Sequence, residues 1–304
     1  MALRHLDIGD NSVISEVQVR LTGGVGNQIF QFLAGKMVAE RFDVPLQIDM
    51  KMLNSPTAHL GSDIRELELF NSDGEVSLGP DLFGQNFQAR VQSKLAKSFP
   101  FLSRLFNLYC AEDINFEELS KFKGVVKLSG YFQTKQITNF ACTRYPNLRL
   151  QPRNPSKQFA AAINQINGDF CAIHVRRGDY LNKGSIHSQL NSHYYHEAIR
   201  QLGEKIKDNT IKYVLFSDEP NFASKLLPFE LNYIQAADFK LSTVEELCLM
   251  GQANAFIIAN STFSFWPAFL AGKECPVVMP SQWFKSGEES ITRIMPTHWD
   301  SISN

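Results

Sequence analysis

The 304-residue chain lacks most of the features that assign a protein quickly. Its five cysteines (Cys110, Cys142, Cys171, Cys248 and Cys275) are odd in number, scattered and without a Cys-x-x-Cys pair. That excludes a disulfide framework and a cysteine zinc site, and it fits a reducing, cytoplasmic compartment. An excess of one charge is also missing: 30 Lys and Arg against 31 Asp and Glu give a formal net charge of −1. No global field therefore gathers nucleic acid or an anionic membrane, and any phosphate must be caught locally. No apolar run approaches a membrane span, and Met1 to Glu16 is polar, without the apolar centre of a signal peptide. Membrane contact is expected to be peripheral at most. Asp-x-Asp pairs and clustered histidines are absent too, which disfavours a metal-bridged diphosphate and predicts no metal site. What is present is an ordinary globular composition, 44% hydrophobic and 20% charged, with 24 phenylalanines that mostly mean core. The length suits two domains or one large α/β domain.

The chain is organised around residues 170–180, Phe-Cys-Ala-Ile-His-Val-Arg-Arg-Gly-Asp-Tyr. Phe170 to Ile173 has the length and composition of a buried strand. Such a strand carries His174, Arg176, Arg177 and Asp179 to the carboxyl end of a sheet, the edge where open α/β sheets bind ligands. Gly178 permits a sharp turn there. A guanidinium fork suits phosphate or carboxylate; the competing explanation is a structural Arg-Asp ion pair with the second arginine in solvent.

Earlier in the chain, Ser15 to Leu21 alternates as a strand, Ile29 to Arg41 has helical periodicity and Val44 to Met50 reads as a second strand. Together they predict a βαβ unit with a parallel pair. The glycine-rich turn between the first two carries Gly24, Gly26, Asn27 and Gln28. It is not a dinucleotide fingerprint, because position 29 is isoleucine, nor a P-loop, because Gly-Lys-Ser/Thr is missing. It either lets a ligand approach backbone at a helix amino terminus or serves packing alone. Residues 51–120 read only as short amphipathic stretches broken by Pro80 and Pro100. Val125 to Ser129 looks like a strand, and a proline-rich connection near 145–165 marks a domain boundary, giving domains 1–160 and 161–304.

Beyond it, a helix is predicted at about 192–206 and strands at Lys212 to Phe216, around Tyr233-Ile234, at Ala255 to Ala259 and at Val277 to Pro280. A helix at Thr243 to Gln252 completes a doubly wound parallel domain. Three of its strand ends are polar: His174/Arg176/Arg177/Asp179, Ser217/Asp218/Glu219 and Asn260/Ser261/Thr262/Ser264. The last is hydroxyl-rich at a helix start, a natural phosphate cradle. An arginine fork opposite it points to a nucleotide diphosphate. His187, His193 and His196 read as surface or helix-cap residues.

Five motifs then stand in order: Gly23-Gly24-Val25-Gly26-Asn27-Gln28-Ile29-Phe30-Gln31-Phe32, Gly130-Tyr131-Phe132-Gln133, His174-Val175-Arg176-Arg177-Gly178-Asp179-Tyr180, Phe216-Ser217-Asp218 and the run from Ile257 to Trp266. In this set the chain resembles the bacterial α-1,2-fucosyltransferases, from about residue 17 to Trp283-Phe284. It departs mildly at Phe265-Trp266, where that family commonly has two tryptophans. The resemblance implies an α/β fold of GT-B type, two Rossmann-like domains facing a cleft, with the acceptor side amino-terminal and the donor side carboxy-terminal. It implies transfer of L-fucose from GDP-L-fucose, with inversion and no metal or other cofactor, to the 2-hydroxyl of a β-galactoside. Surface polysaccharide synthesis on a lipid-linked oligosaccharide is the expected setting, and nucleic acid is not an expected partner. Another GDP-hexose as donor, or a diphosphate-binding module without turnover, are the alternatives.

Carried onto this chain, the resemblance gives Arg176 the β-phosphate, His174 and Glu246 the guanine, and Ser261, Thr262 and Ser264 the phosphates. Arg177 and Asn260 join the donor side, and Asp218 is structural or ribose-binding. Glu246 is alternatively a solvated helix residue, since Glu245 is adjacent and one of the two must face away. Asp179 is either the base for the 2-hydroxyl or a salt-bridge partner that orients Arg176 or Arg177. Gly24, Gly26, Asn27 and Gln28 belong to the acceptor side, with Asn27 placed to position acceptor or fucose.

Overall fold

The computed structural model describes residues 14–51, 53, 63–71, 76–79, 104–177, 190–206, 210–283 and 294–303. The chain divides into two compact units. The first comprises Met1–Gly23, Asn27–His59 and Asp73–Pro146; the second comprises Gly24–Gly26, Leu60–Ser72 and Asn147–Asn304. The carboxy-terminal run of the second unit thus begins within the proline-rich connection. The helix Lys157–Ile166, capped by Ser156, lies in this unit.

The first unit holds five strands: β1 (Ile14–Arg20), β2 (Leu46–Asp49), β3 (Val76–Gly79), β4 (Leu108–Tyr109) and β5 (Gly124–Leu128). Their order is β3-β2-β1-β5-β4, with every neighbouring pair parallel. The anticipated βαβ unit is there, its helix running from Val25 to Phe42. That helix is apolar around most of its circumference and is accordingly buried almost throughout. It begins four residues earlier than its periodicity suggested, so Gly26, Asn27 and Gln28 lie in its first turn. Arg20 and Asp49 are register partners, and Arg20 closes an ion pair of 2.8 Å on the fully buried Asp49 carboxylate. The strand order reverses between β1 and β5. β1 is followed by the glycine turn and β5 by Gly130-Tyr131-Phe132-Gln133, so both amino-terminal motifs leave the same sheet edge.

The second unit contains β6 (Phe170–Val175), β7 (Lys212–Ser217), β8 (Tyr233–Gln235), β9 (Ala255–Ile257), β10 (Val277–Pro280) and β11 (Asp300–Ile302). All neighbours in the order β11-β10-β9-β6-β7-β8 are parallel. Numbered within the unit, this is the doubly wound order 3-2-1-4-5-6 read from the other end, with its switch point between β6 and β9. β6 is buried at all six positions, as a central parallel strand covered on both faces must be. Ile173 and Val175 pack with Tyr194, Tyr195, Ala198 and Leu202 of the helix Ser192–Ile206. The buried phenols still find acceptors: Tyr194 donates to the Ile258 carbonyl at 2.6 Å and Tyr195 to that of His174 at 3.2 Å. Core packing therefore fixes the strand exits that carry the motifs. The α/β class with two Rossmann-like parts is the one observed.

Candidate active site

At the switch point, β6 delivers His174 and the segment after β9 delivers Asn260 to Ser264. The His174 ring is buried, with Nδ1 2.8 Å from the Ser264 hydroxyl oxygen. Burial, assisted by the Arg176 charge, lowers the imidazole to about 3, so the ring is neutral at neutral pH. It offers a hydrogen-bonding edge and a flat surface rather than a charge. Ser264 is itself fully buried, and its hydroxyl is committed to His174 and to the turn carbonyls of Ala259 and Ser261. In this arrangement the hydroxyl orients the histidine. Asn260 is likewise buried and donates to the Trp283 carbonyl at 2.9 Å, so it ties down a neighbouring segment. Ser261 caps the helix Thr262–Leu270, accepting from the Phe263 amide at 3.3 Å. Ser261 and Thr262, both half-buried, are what the cradle presents at that helix start.

The two arginines have separate partners. Val175 and Ser217 are register partners on β6 and β7, so Arg176-Arg177 and Asp218-Glu219 leave adjacent strands side by side. Arg176 Nη1 lies 3.0 Å from Asp218 Oδ2, while Asp218 Oδ1 accepts the Arg177 amide at 3.1 Å. Arg177 pairs with Glu219 at 2.8 Å and sits over the Phe222 ring, 3.6 Å from its centroid. There it borders a pocket of about 360 Å³, with Pro220, Asn221 and Lys225. Asp179 and His187 lie outside the described residues. His193 and His196 are exposed on the helix Ser192–Ile206.

Glu245 and Glu246 divide their duties. Glu245 is the fourth residue of the capping box Ser242-Thr243-Val244-Glu245, and its carboxylate accepts the amides of Ser242 and Ser156. Glu246 is half-buried and, among the described residues, has no side-chain hydrogen bond or ion pair. Desolvation alone pushes its carboxyl up to about 7.

In the glycine turn, Gly23 adopts φ +75° and Gln28, fully buried, donates to its carbonyl at 2.8 Å. Gln28 thus braces the turn. Gly26 groups with the second unit: a Cβ there would stand 2.4 Å from the Thr262 carbonyl oxygen, and its own carbonyl accepts the Trp266 indole at 2.9 Å. Glycine is needed at 26 for backbone packing, and the space against it is filled. Gly24 has open space where a Cβ would be. Asn27 accepts from Gln133 Nε2 at 3.0 Å, and Gln31 spans Thr22 and the Gly130 carbonyl, uniting the two amino-terminal motifs. Gln133 and Glu219 stood in the sequence only as parts of a motif and a polar strand end, without a role of their own, and Phe222 was not singled out. Phe132 holds a left-handed φ of 53° although buried, an uncommon state for a bulky residue that aims Gln133 at Asn27. No sequence signal announces such a turn.

Among the described residues no three His, Cys, Asp or Glu side chains cluster to hold a metal, and no helix is long and apolar enough to cross a membrane.

The second unit is doubly wound, with His174 and a hydroxyl-bearing helix start at its switch point and two acid-paired arginines on the neighbouring strand exit. The model of the family described as glycosyl transferase family 11 matches residues 114–303. The chain belongs to that family and is a glycosyltransferase. An α-1,2-colitosyltransferase of Escherichia coli is 28% identical over 304 residues, covering 95% of this chain and 99% of that protein. The O-antigen biosynthesis glycosyltransferase WbnK of Escherichia coli is 31% identical over 130 residues, 41% of this chain and 42% of that protein. Among solved structures, NodZ α-1,6-fucosyltransferase soaked with GDP-fucose, a Bradyrhizobium protein, shares the fold with a TM-score of 0.50 at 14% identity, over 84% of this chain and 92% of that one.

Proposed function

We propose that this glycosyltransferase moves L-fucose from GDP-L-fucose to the 2-hydroxyl of a terminal β-galactoside, with inversion and without a metal. The observation that carries this reading is the convergence of three motif ends on one switch point. His174, Arg176 and the Ser261-Thr262 helix start leave one sheet edge, and the same unit carries Glu246, half-buried and without a side-chain partner among the described residues. A carboxylate accepting from guanine N1–H and the 2-amino group selects guanine. The arginine and the helix start meet the diphosphate without a cation. Asn27 and Gln133 are the acceptor-side candidates.

In the transfer, the galactose 2-oxygen forms a bond to the sugar anomeric carbon as that carbon's bond to the β-phosphate oxygen breaks. GDP leaves with the electron pair, and the hydroxyl proton passes to a base. Arg176 stabilises charge that grows as GDP departs, an interaction stronger in the transition state than before it. Asp218 and Glu219 already supply carboxylates to the two arginines, which supports the base role for Asp179. The O-antigen biosynthesis relative supports a surface-polysaccharide glycan as the setting of the acceptor.

The colitosyltransferase relative favours a second donor reading, GDP-colitose. Colitose is fucose without its 3-hydroxyl, so discrimination turns on one hydrogen-bonding group. A site built to bond that hydroxyl rejects the deoxy sugar by orders of magnitude, whereas a site without such a group discriminates weakly.

The test is GDP release from each donor, with and without a β-galactosyl disaccharide, in EDTA, followed by linkage analysis of the product. Galactoside-dependent release in chelator is expected. Arg176→Ala should lower turnover by about 10²–10³ while remaining folded. Activity abolished by EDTA, or near-normal turnover in that variant, defeats the mechanism.

A further inference from the structure

We propose that Asp218 is a positioning residue for Arg176, and that Asp218-Glu219 assigns the two motif arginines to different tasks. This rests on the role given above to Arg176. The placement begins with strand register. Because β6 and β7 are parallel and Val175 is paired with Ser217, the next residue on each strand is Arg176 and Asp218. The Asp218 carboxylate then makes two contacts that differ in kind. Oδ2 takes the Arg176 guanidinium at 3.0 Å, and Oδ1 takes the backbone amide of Arg177 at 3.1 Å. One short side chain therefore fixes both the tip of Arg176 and the main chain just beyond it. An arginine carries four flexible side-chain torsions; anchored at both ends, it keeps its orientation before charge develops. That is preorganisation, and its value appears in the transition state.

Glu219 does the complementary job. Its amide donates to the Ser217 hydroxyl at 3.0 Å, and its carboxylate draws Arg177 onto the Phe222 ring. Arg177 is thereby turned into the wall of the pocket formed with Pro220, Asn221 and Lys225. Two adjacent, chemically identical residues acquire different surroundings because two adjacent acids face them across the sheet.

Stability does not account for the Asp218 pair. Its side chains are 25% and 24% exposed, and ion pairs this open to water contribute little to folding. A ribose ligand is also a poorer account, since both carboxylate oxygens already address the strand exit.

The experiment compares wild type, Asp218→Asn, Arg176→Ala and the double variant for kcat, KM, GDP affinity and melting temperature. Asp218→Asn keeps an acceptor for the Arg177 amide and removes the charge. Its kcat should fall about 10- to 100-fold, the scale of a small misplacement of a catalytic group, with GDP affinity and melting almost unchanged. In the Arg176→Ala background the same substitution should cost nothing further. Asp218→Glu, which restores the charge on a longer arm, should recover part of the loss and covers the case in which the Asn variant folds poorly. Full additivity with Arg176→Ala, or weaker GDP binding at unchanged kcat, overturns the positioning role. A wild type that neither binds GDP nor turns over, or an Arg176→Ala variant that remains active, overturns the functional reading itself and this role with it.

Discussion

Replacing Glu246 by glutamine separates a ligand-directed acid from an accidental one. The wild-type carboxyl rises from the usual 4.5 to about 7 through desolvation, with no neighbouring charge involved. At 1.36 kcal/mol per pH unit, that is about 3 kcal/mol between the two protonation states. The sign follows from linkage. The folded pKa exceeds the unfolded one, so between pH 4.5 and 7 the native state holds the extra proton. The group's stabilisation is present in full below pH 4.5 and is lost as pH rises through 7. Glu246→Gln should therefore match wild type near pH 4.5 and be more stable at pH 8, by up to about 3 kcal/mol.

Guanine requires the opposite state. Only the carboxylate accepts from N1–H and the 2-amino group, and the ionised fraction climbs about tenfold from pH 6 to pH 8 for a pKa near 7. GDP affinity should climb with it in wild type but not in the variant. Ionisation of the β-phosphate is common to both proteins and cancels in their ratio. At pH 8 the variant should bind GDP about 10- to 100-fold more weakly, the loss of hydrogen bonds to a charged acceptor. Calorimetric titration at pH 6, 7 and 8 reads all of this. A variant with wild-type GDP affinity at pH 8, or with the same pH dependence, would leave Glu246 as a buried acid with no ligand and remove it from the donor site.

Two further outcomes follow from packing. Gly26→Ala should lower stability by about 1–3 kcal/mol in a denaturant melt, because its Cβ meets the Thr262 backbone at 2.4 Å and backbone yields poorly. A melt equal to wild type would mean that the first turn of the helix Val25–Phe42 can shift freely. Ser264→Ala should cost about 1–3 kcal/mol by leaving buried His174 Nδ1 unpaired, and should weaken GDP binding as the ring loses its fixed orientation. Unchanged GDP affinity in a destabilised variant would remove His174 from the donor site.

The sequence by itself determined where most chemistry sits along the chain. A run such as Phe170 to Val175 has few alternatives to a central strand, and the helix Ser192–Ile206 matches its periodicity end to end. Polar clusters directly after such strands lie on the carboxyl edge whatever the sheet order, so His174, Arg176 and Ser261 were legible as one group. Short elements were not. β4 has two residues and β11 three, too few for any periodicity to register, and each exists because a longer neighbour offers an open edge.

Only the tertiary structure decided which residue of each adjacent pair is taken by which neighbour. Glu245 and Glu246 are the same residue type one step apart on a helix. The distinction arises because Ser156, far away in sequence, brings an amide to the first, while the second has no side-chain partner among the described residues. Arg176 and Arg177 are separated in the same way by Asp218 and Glu219, 42 positions along the chain. Gly26 looked like an approach for a ligand until the backbone of Thr262 filled it. Composition and period act locally, whereas the partner that uses up a charge, or the backbone that fills a gap, comes from a strand or helix whose placement the whole fold sets.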